Sequence, residues 1–308
     1  MVRALVLTAS CVVFSCAPHL VVGERNEAAA GADGAAGAVA AAGAAGAAGA
    51  AGAAGAVGAA GAAGAAGAAG AAGAQCPDNG LPVPGPTDPI VVPWVTGFEN
   101  AFCDYDNAGG FCRGAGTHTI VTSPARSGNA AEFSVASADS TNDRNQARCV
   151  LQGALPSEAY YGAWFYIPTL ATLDSNASLW NLMHFQGGDK SQKGLWDVSL
   201  VNGDSGDLEL LVYDFLAPTV RKQTTTPPIP IPVGAWFHIQ FYLKRRADAT
   251  GEIRLYQDDK LLVQAKNLVT DDSTWAQWYV GNIAKGLTPT DSTLYVDDVT
   301  IDTKLTVP

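Results

Sequence analysis

Charge is scarce in this chain: Asp, Glu, Lys and Arg make up 15% of its 308 residues, and the balance is acidic, at a formal net −11. Three acids (Glu24, Glu27, Asp33) and two bases (Arg3, Arg25) precede Cys76, so residues 76–308 hold 26 acids against 16 bases. A surface so short of lysine and arginine cannot neutralise a phosphate backbone, which argues against a nucleic-acid partner. Long runs of bulky apolar residues are missing too. The N-terminal apolar run, 4–15, falls far short of the roughly 20 residues of a spanning helix. No Cys-x-x-Cys or nearby pair of histidines accompanies the six cysteines, which excludes the usual zinc patterns. Nor is there a Gly-x-Ser-x-Gly elbow, a phosphate loop or a His-Glu-x-x-His run.

What is present falls into three parts. Residues 1–16 carry one early positive charge, Arg3, and an apolar stretch, and so read as an export signal. The signal ends at Val13-Phe14-Ser15-Cys16, which resembles a bacterial lipobox; Cys16 is the expected lipidation site, with an ordinary secretory signal cleaved near Gly23 as the alternative. Residues 17–75 are dominated by Gly and Ala, with glycine at every third position from Gly43 to Gly73. Such a tract has no side chain to bury and cannot offset the entropy of ordering itself, so it reads as a disordered tether with a reach of roughly 40 Å for about 45 residues. The same period occurs in collagen, but there Pro or hydroxyproline fills the other two positions, and here Ala does.

Residues 76–308 hold every Trp and Tyr of the chain and all but one Phe, enough for one large core. Apolar alternation bounded by turn residues predicts strands over 160–167, 179–186, 196–201, 208–213, 236–243, 253–256, 261–264, 278–282 and 294–301, and no window carries a convincing helical stripe. Many short strands over more than 200 residues point to an all-β jelly-roll sandwich. In the strand from Trp236, the residues Phe237, Ile239, Phe241 and Leu243 read as core, with Trp236, His238, Gln240 and Tyr242 on a wet but aromatic face. In the strand from Tyr160, the residues Tyr160, Trp164 and Tyr166 take the same side. Aromatics on a wet face suit the apolar C–H faces of pyranose rings. Four cysteines remain after processing, Cys76, Cys103, Cys112 and Cys149, and in an exported chain they read as two disulfides. A short Cys103–Cys112 loop would leave Cys76 to Cys149, although sequence alone leaves three pairings open.

The chain resembles the concanavalin A-like sandwich superfamily over nearly all of 96–303. The residues that carry the resemblance are Gly97-Phe98-Glu99-Asn100 as opening strand, Pro124-Ala125-Arg126-Ser127-Gly128 as second strand entry, Gly234-Ala235-Trp236-Phe237, and Leu294-Tyr295-Val296-Asp297-Asp298-Val299 as closing strand. Within that superfamily its middle is most similar to the jelly-roll polysaccharide lyases, relatives of alginate, glucuronan and heparin lyases. Arg144-Asn145-Gln146-Ala147-Arg148 stands at the Arg-x-Glu strand, 160–168 at the Tyr-x-Gly-x-x-Phe-Tyr-x-Pro strand, and Leu182-Met183-His184 at the Gln-x-His strand. Gln146 replaces the usual Glu, Leu182 the usual Gln, and Tyr279-Val280-Gly281-Asn282-Ile283 lacks the Lys and second Tyr of the last catalytic strand. The glucanases of this fold use Glu-x-Asp-x-x-Glu, which is absent here.

The resemblance implies β-elimination at a uronic acid, with Arg148 and Gln146 neutralising the carboxylate, His184 removing the C5 proton and Tyr279 protonating the leaving oxygen. Trp180, Gln186, Trp164, Tyr160 and Tyr166 are the expected sugar contacts. Glu99 and Asp298, on opening and closing strands, are placed to share a structural Ca²⁺, with no cofactor required for the chemistry. Because the catalytic pattern is incomplete, the sequence points first to a tethered, monomeric glycan-binding or polysaccharide-processing module. A lyase acting on an acidic polysaccharide comes second, and a non-catalytic structural surface module third.

Overall fold

The computed structural model describes Cys76, 88–136, 145–175, 178–187, 194–271, Ser273 and 275–306. The chain divides at 69/70 into two units, and the second carries everything described below. The expectations for the leader, for lipidation at Cys16 and for the tether lie outside the described residues.

In chain order the elements are β1 (Trp94–Thr96), the short helix α1 (Cys103–Asn107), β2 (Phe111–Gly114), β3 (Thr117–Val121), β4 (Ala130–Ala136), β5 (Asn145–Gly153), β6 (Glu158–Tyr166), β7 (Thr172–Leu173), β8 (Leu179–Gly187) and β9 (Gly194–Asn202). They continue with β10 (Leu208–Asp214), β11 (Thr219–Lys222), β12 (Trp236–Lys244), β13 (Gly251–Gln257), β14 (Lys260–Leu268), β15 (Ala276–Lys285), β16 (Leu287–Thr288) and β17 (Asp291–Asp302). One antiparallel sheet runs β14-β13-β12-β6-β17-β4-β3, with β1 also on β17; the second runs β11-β10-β9-β8-β15-β5-β2. Strands distant in sequence lie side by side, β6 against β17 and β5 against β15, which is the jelly-roll sandwich expected.

Alternation drives the assembly. Phe237, Ile239, Phe241 and Leu243 of β12 are fully buried and meet Phe185, Trp196 and Trp278 from the facing sheet in one continuous core. The indole N–H groups there need partners: Trp196 Nε1 donates to the Thr270 carbonyl (2.8 Å) and Trp180 Nε1 to Asn282 Oδ1 (3.0 Å). Asn282 in turn donates to the carbonyls of Phe133 and Ser292, both on the opposite sheet, and so ties the two sheets together through the core.

Three expectations fail here. The disulfides are Cys76–Cys103 and Cys112–Cys149, not Cys103–Cys112 and Cys76–Cys149. Cys112 on β2 and Cys149 on β5 are direct cross-strand partners pointing into the sandwich, while Cys103 opens α1 and is left for Cys76. The second failure is the wet face of β12: His238, Gln240 and Tyr242 are 2%, 1% and 5% exposed. Trp164 stacks on His238 (4.9 Å) and Tyr160 packs on Tyr242 (4.9 Å), covering them. The third is Trp180, which is fully buried in the core and cannot touch a glycan.

Candidate active site

Trp180 and His184 would share a face if β8 alternated throughout. It does not: Asn181 pairs with Ser199 and Met183 with Val198, which leaves Leu182 as an extra residue with no partner on β9. One inserted residue reverses the faces of everything before it. Trp180, Leu182, Met183 and Phe185 therefore enter the core, and Asn181, His184 and Gln186 rise from the outer face.

Across that face runs a ladder of direct cross-strand partners: Phe111 (β2), Val150 (β5), Tyr279 (β15), His184 (β8), Asp197 (β9) and Tyr213 (β10). Asp197 is 7% exposed and takes two hydrogen bonds, from Asn181 Nδ2 to Oδ2 (2.6 Å) and at Oδ1 from His184 Nδ1. Ser199 Oγ donates to Asn181 Oδ1 (2.8 Å), which fixes that amide with its nitrogen toward Asp197. An ionised carboxylate only accepts, so His184 Nδ1 carries the proton and Nε2 presents a lone pair. Phe215 packs edge-on against the imidazole (5.8 Å) and Tyr279 lies tilted beside it (5.0 Å), restricting ring rotation.

The Tyr279 hydroxyl is 2.5 Å from the side-chain oxygens of both Gln186 and Gln277. One phenol has one proton to donate. That proton is shared between the two acceptors, and Gln277 gives its own nitrogen to Gln152 (3.2 Å). The guanidinium of Arg148 lies 4.3 Å from the centre of the Tyr279 ring. It reaches there across Gly281, its cross-strand partner on β15 (φ +153°), where an added methyl would lie 2.4 Å from the Ala147 carbonyl oxygen and 2.6 Å from Arg148 Cα. Val150, Tyr279 and Ile283, with Phe111 and Leu179, make an apolar floor under these groups.

The structure thus brings together four expected residues, His184, Tyr279, Arg148 and Gln186. Gln146 shares their sheet face one ladder step beyond Arg148, opposite Ile283, with its side-chain oxygen buried and unpartnered among the described residues. Asp197, Asn181, Gln277 and Phe215 were missed. Asp197 was readable as an acid at the centre of an apolar strand; Asn181 was not, because the bulge puts it where the resemblance expects an amide at Leu182.

Tyr160, Trp164 and Tyr166 belong to β6, in the other sheet, and face away from His184, so they cannot line the same groove. Trp164 stacks on His238 and carries the Arg126 guanidinium at 4.0 Å from its ring centre. Burial, and then the charge on Arg126, lowers the His238 pKa to about 4, against the opposing pull of Asp298. A cavity of about 300 Å³ on that side is lined by Tyr295 and by two acids, Glu132 and Asp291, that repel an anionic sugar.

Glu99, Asp297 and Asp298 converge on the loop that begins at Pro124. Glu99 Oε1 accepts from the Asn129 amide (3.0 Å), and an added methyl on Gly128 would fall 1.9 Å from that oxygen. Asp297 takes the amides of Arg126 and Ser127, and Asp298 pairs with the Arg126 side chain at 2.5 Å. Burial raises the Asp297 pKa to about 6. The donor set is hard oxygen, which suits Ca²⁺. Among the described residues no three His, Cys, Asp or Glu side chains are spaced to hold a metal by themselves, so loop carbonyls would have to complete the shell.

A family model described as polysaccharide lyase matches residues 99–300. No protein of curated function matches. Among solved structures, cellulose induced protein Cip1 is 13% identical with a TM-score of 0.51, over 70% of this chain and 99% of that one. An endo-beta-1,4-glucuronan lyase from the fungus Trichoderma reesei is 17% identical (TM-score 0.47; 63% and 90% covered), and alginate lyase Aly36B 11% (0.48; 71% and 100%). Of these, the likeness to Cip1 bears on fold alone.

Proposed function

The chain belongs to the polysaccharide lyase family, and from that premise we propose that it cleaves an acidic polysaccharide by β-elimination beside a uronate. The observation that supports this reading is the Asp197–His184–Tyr279 row, in which a base of fixed tautomer and a phenol stand on adjacent strands. Arg148, with the second N–H of Asn181, binds the uronate carboxylate and stabilises the charge that builds on it as the C5 proton leaves. His184 Nε2 takes that proton. The C–H electron pair becomes the C4–C5 double bond, the C4–O4 bond breaks, and Tyr279, held between Gln186 and Gln277, gives its proton to the departing oxygen.

Two disulfides suit an oxidising compartment, which supports export. Anchoring through a lipid on Cys16 fits the leader and tether, and a mass increase of the mature N-terminus after removal of residues 1–15 tests it. Ca²⁺ at Glu99 and Asp298, with loop carbonyls completing its shell, is proposed as a brace between the opening and closing ends of the fold, away from the chemistry.

The test of activity is incubation with mannuronate, guluronate, glucuronate and heparin-type polymers while following the ultraviolet absorbance of the unsaturated product. Turnover of at least one is expected, falling by about 10²- to 10⁴-fold in His184→Ala with little change in melting temperature. Retention on a glycan column with no product from any polymer makes the domain a binding module instead.

A further inference from the structure

Arg113 has no counterpart among the residues that the sequence singled out. It lies on β2, the edge strand of the active-site sheet, directly opposite Arg148, and it is exposed. Like charges placed directly across two strands destabilise a sheet. No ion pair among the described residues involves Arg113, and the two guanidiniums lean onto different rings.

The two guanidiniums are arranged alike. Arg113 lies 4.4 Å from the centre of the Phe111 ring, and Arg148 lies 4.3 Å from that of Tyr279. Phe111 and Tyr279 occupy the same row of the ladder, with Val150 between them. The two ring-bearing residues therefore stand about two interstrand spacings apart, roughly 10 Å. An extended 1,4-linked pyranose chain advances about one interstrand spacing per sugar, so a chain laid along the row meets Arg148 and Arg113 with sugars two apart. The floor between them is apolar, formed by Val150 with Phe111, Ile283 and Tyr279. The ordinary alternative is a solvated arginine resting on a ring, which would contribute little to anything.

We infer that Arg113 forms a second carboxylate-binding subsite two sugars from the reacting uronate, selecting chains that carry a uronate at both positions. This rests on the lyase reading for the identity of the first subsite.

The experiment uses calorimetric titration of full-length His184→Ala protein, with and without Arg113→Gln, against disaccharides and hexasaccharides of mannuronate, guluronate and glucuronate. Hexasaccharide affinity is expected to fall about tenfold with Arg113→Gln, the scale of one charged hydrogen-bonded contact, while disaccharide affinity holds. In an otherwise wild-type background, Arg113→Gln should melt no lower than the parent. Unchanged hexasaccharide affinity in an enzyme that turns over the polymer overturns the second subsite and leaves the lyase reading intact. Weakened hexasaccharide binding without turnover by the wild type supports the subsite and overturns the lyase reading. No uronate binding by either protein overturns both.

Discussion

Asp197→Asn separates the proposed chemistry from mere packing. Asp197 accepts from Asn181 Nδ2 at one oxygen and from His184 Nδ1 at the other, at 7% exposure. Asparagine keeps the shape but replaces one acceptor with a donor. If its NH₂ faces His184, the imidazole turns its lone pair to Nδ1, places its proton on Nε2 and loses the base. If its NH₂ faces Asn181, two donors confront each other in a dry site, and the compensating flip of Asn181 must turn the Ser199 hydroxyl from donor to acceptor. The unmade hydrogen bond costs about 1–3 kcal/mol of stability. The rate loss is larger, about 10²- to 10⁴-fold, the contribution of a correctly poised base. Urea melts give the first quantity and initial rates of unsaturated-product formation the second. Loss of stability with kcat within threefold of the parent refutes the base assignment to His184, because in either orientation the imidazole loses the carboxylate charge that stabilises its protonated form.

Three further outcomes are expected. Trp180→Ala removes a fully buried indole and the partner of Asn282 Oδ1, so it should cost about 3–5 kcal/mol in urea melts; a cost below about 1 kcal/mol would mean that Trp180 is not in the core. The unfolded chain protonates His238 as pH falls through about 6.5 while the folded protein resists until about 4, so stability drops with pH across that window. His238→Gln should flatten the drop by about 2 kcal/mol near pH 5, and parallel Tm-versus-pH curves for variant and parent would count against it. Saturating Ca²⁺ should raise the parent's Tm over that in chelator, by an amount equivalent to about 2.7 kcal/mol at a hundredfold excess over Kd; Glu99→Gln should erase the rise, and superimposed curves for the parent remove the site.

The fold was legible because it depends on period-two alternation, which the sequence states residue by residue. Phe237, Ile239, Phe241 and Leu243 needed nothing else to be placed in the core. What alternation cannot report is which outer face meets solvent: β12 shows polar residues at His238 and Gln240, yet neighbouring strands bring Trp164 and Tyr160 over that face. The disulfides depend on the register of β2 against β5, a long-range fact, so no reading of spacing could choose Cys112–Cys149. Within the site, Asp197 was available from the strand predicted over 196–201, where it alternates with the buried Trp196 and Val198.

Asn181 and Trp180 share one cause, and it explains why the active-site strand departs from regular pairing. A regular β8 carrying His184 outward would carry Trp180 and Leu182 outward with it, exposing an indole and leaving the site without its amide. The extra residue at Leu182 lets Trp180 keep its place in the core, bonded to Asn282, while Asn181 rises beside Asp197. On the other flank, β15 accommodates the shift by setting Gly281 and Asn282 against that single residue, between the pairs Val280↔Met183 and Ile283↔Asn181. Gly281 clears the path of Arg148 over Tyr279, and Asn282 turns inward to join the two sheets. The irregularity that hid the site from a face-by-face reading is therefore what lets one strand supply an inward anchor and an outward carboxylate-binding amide.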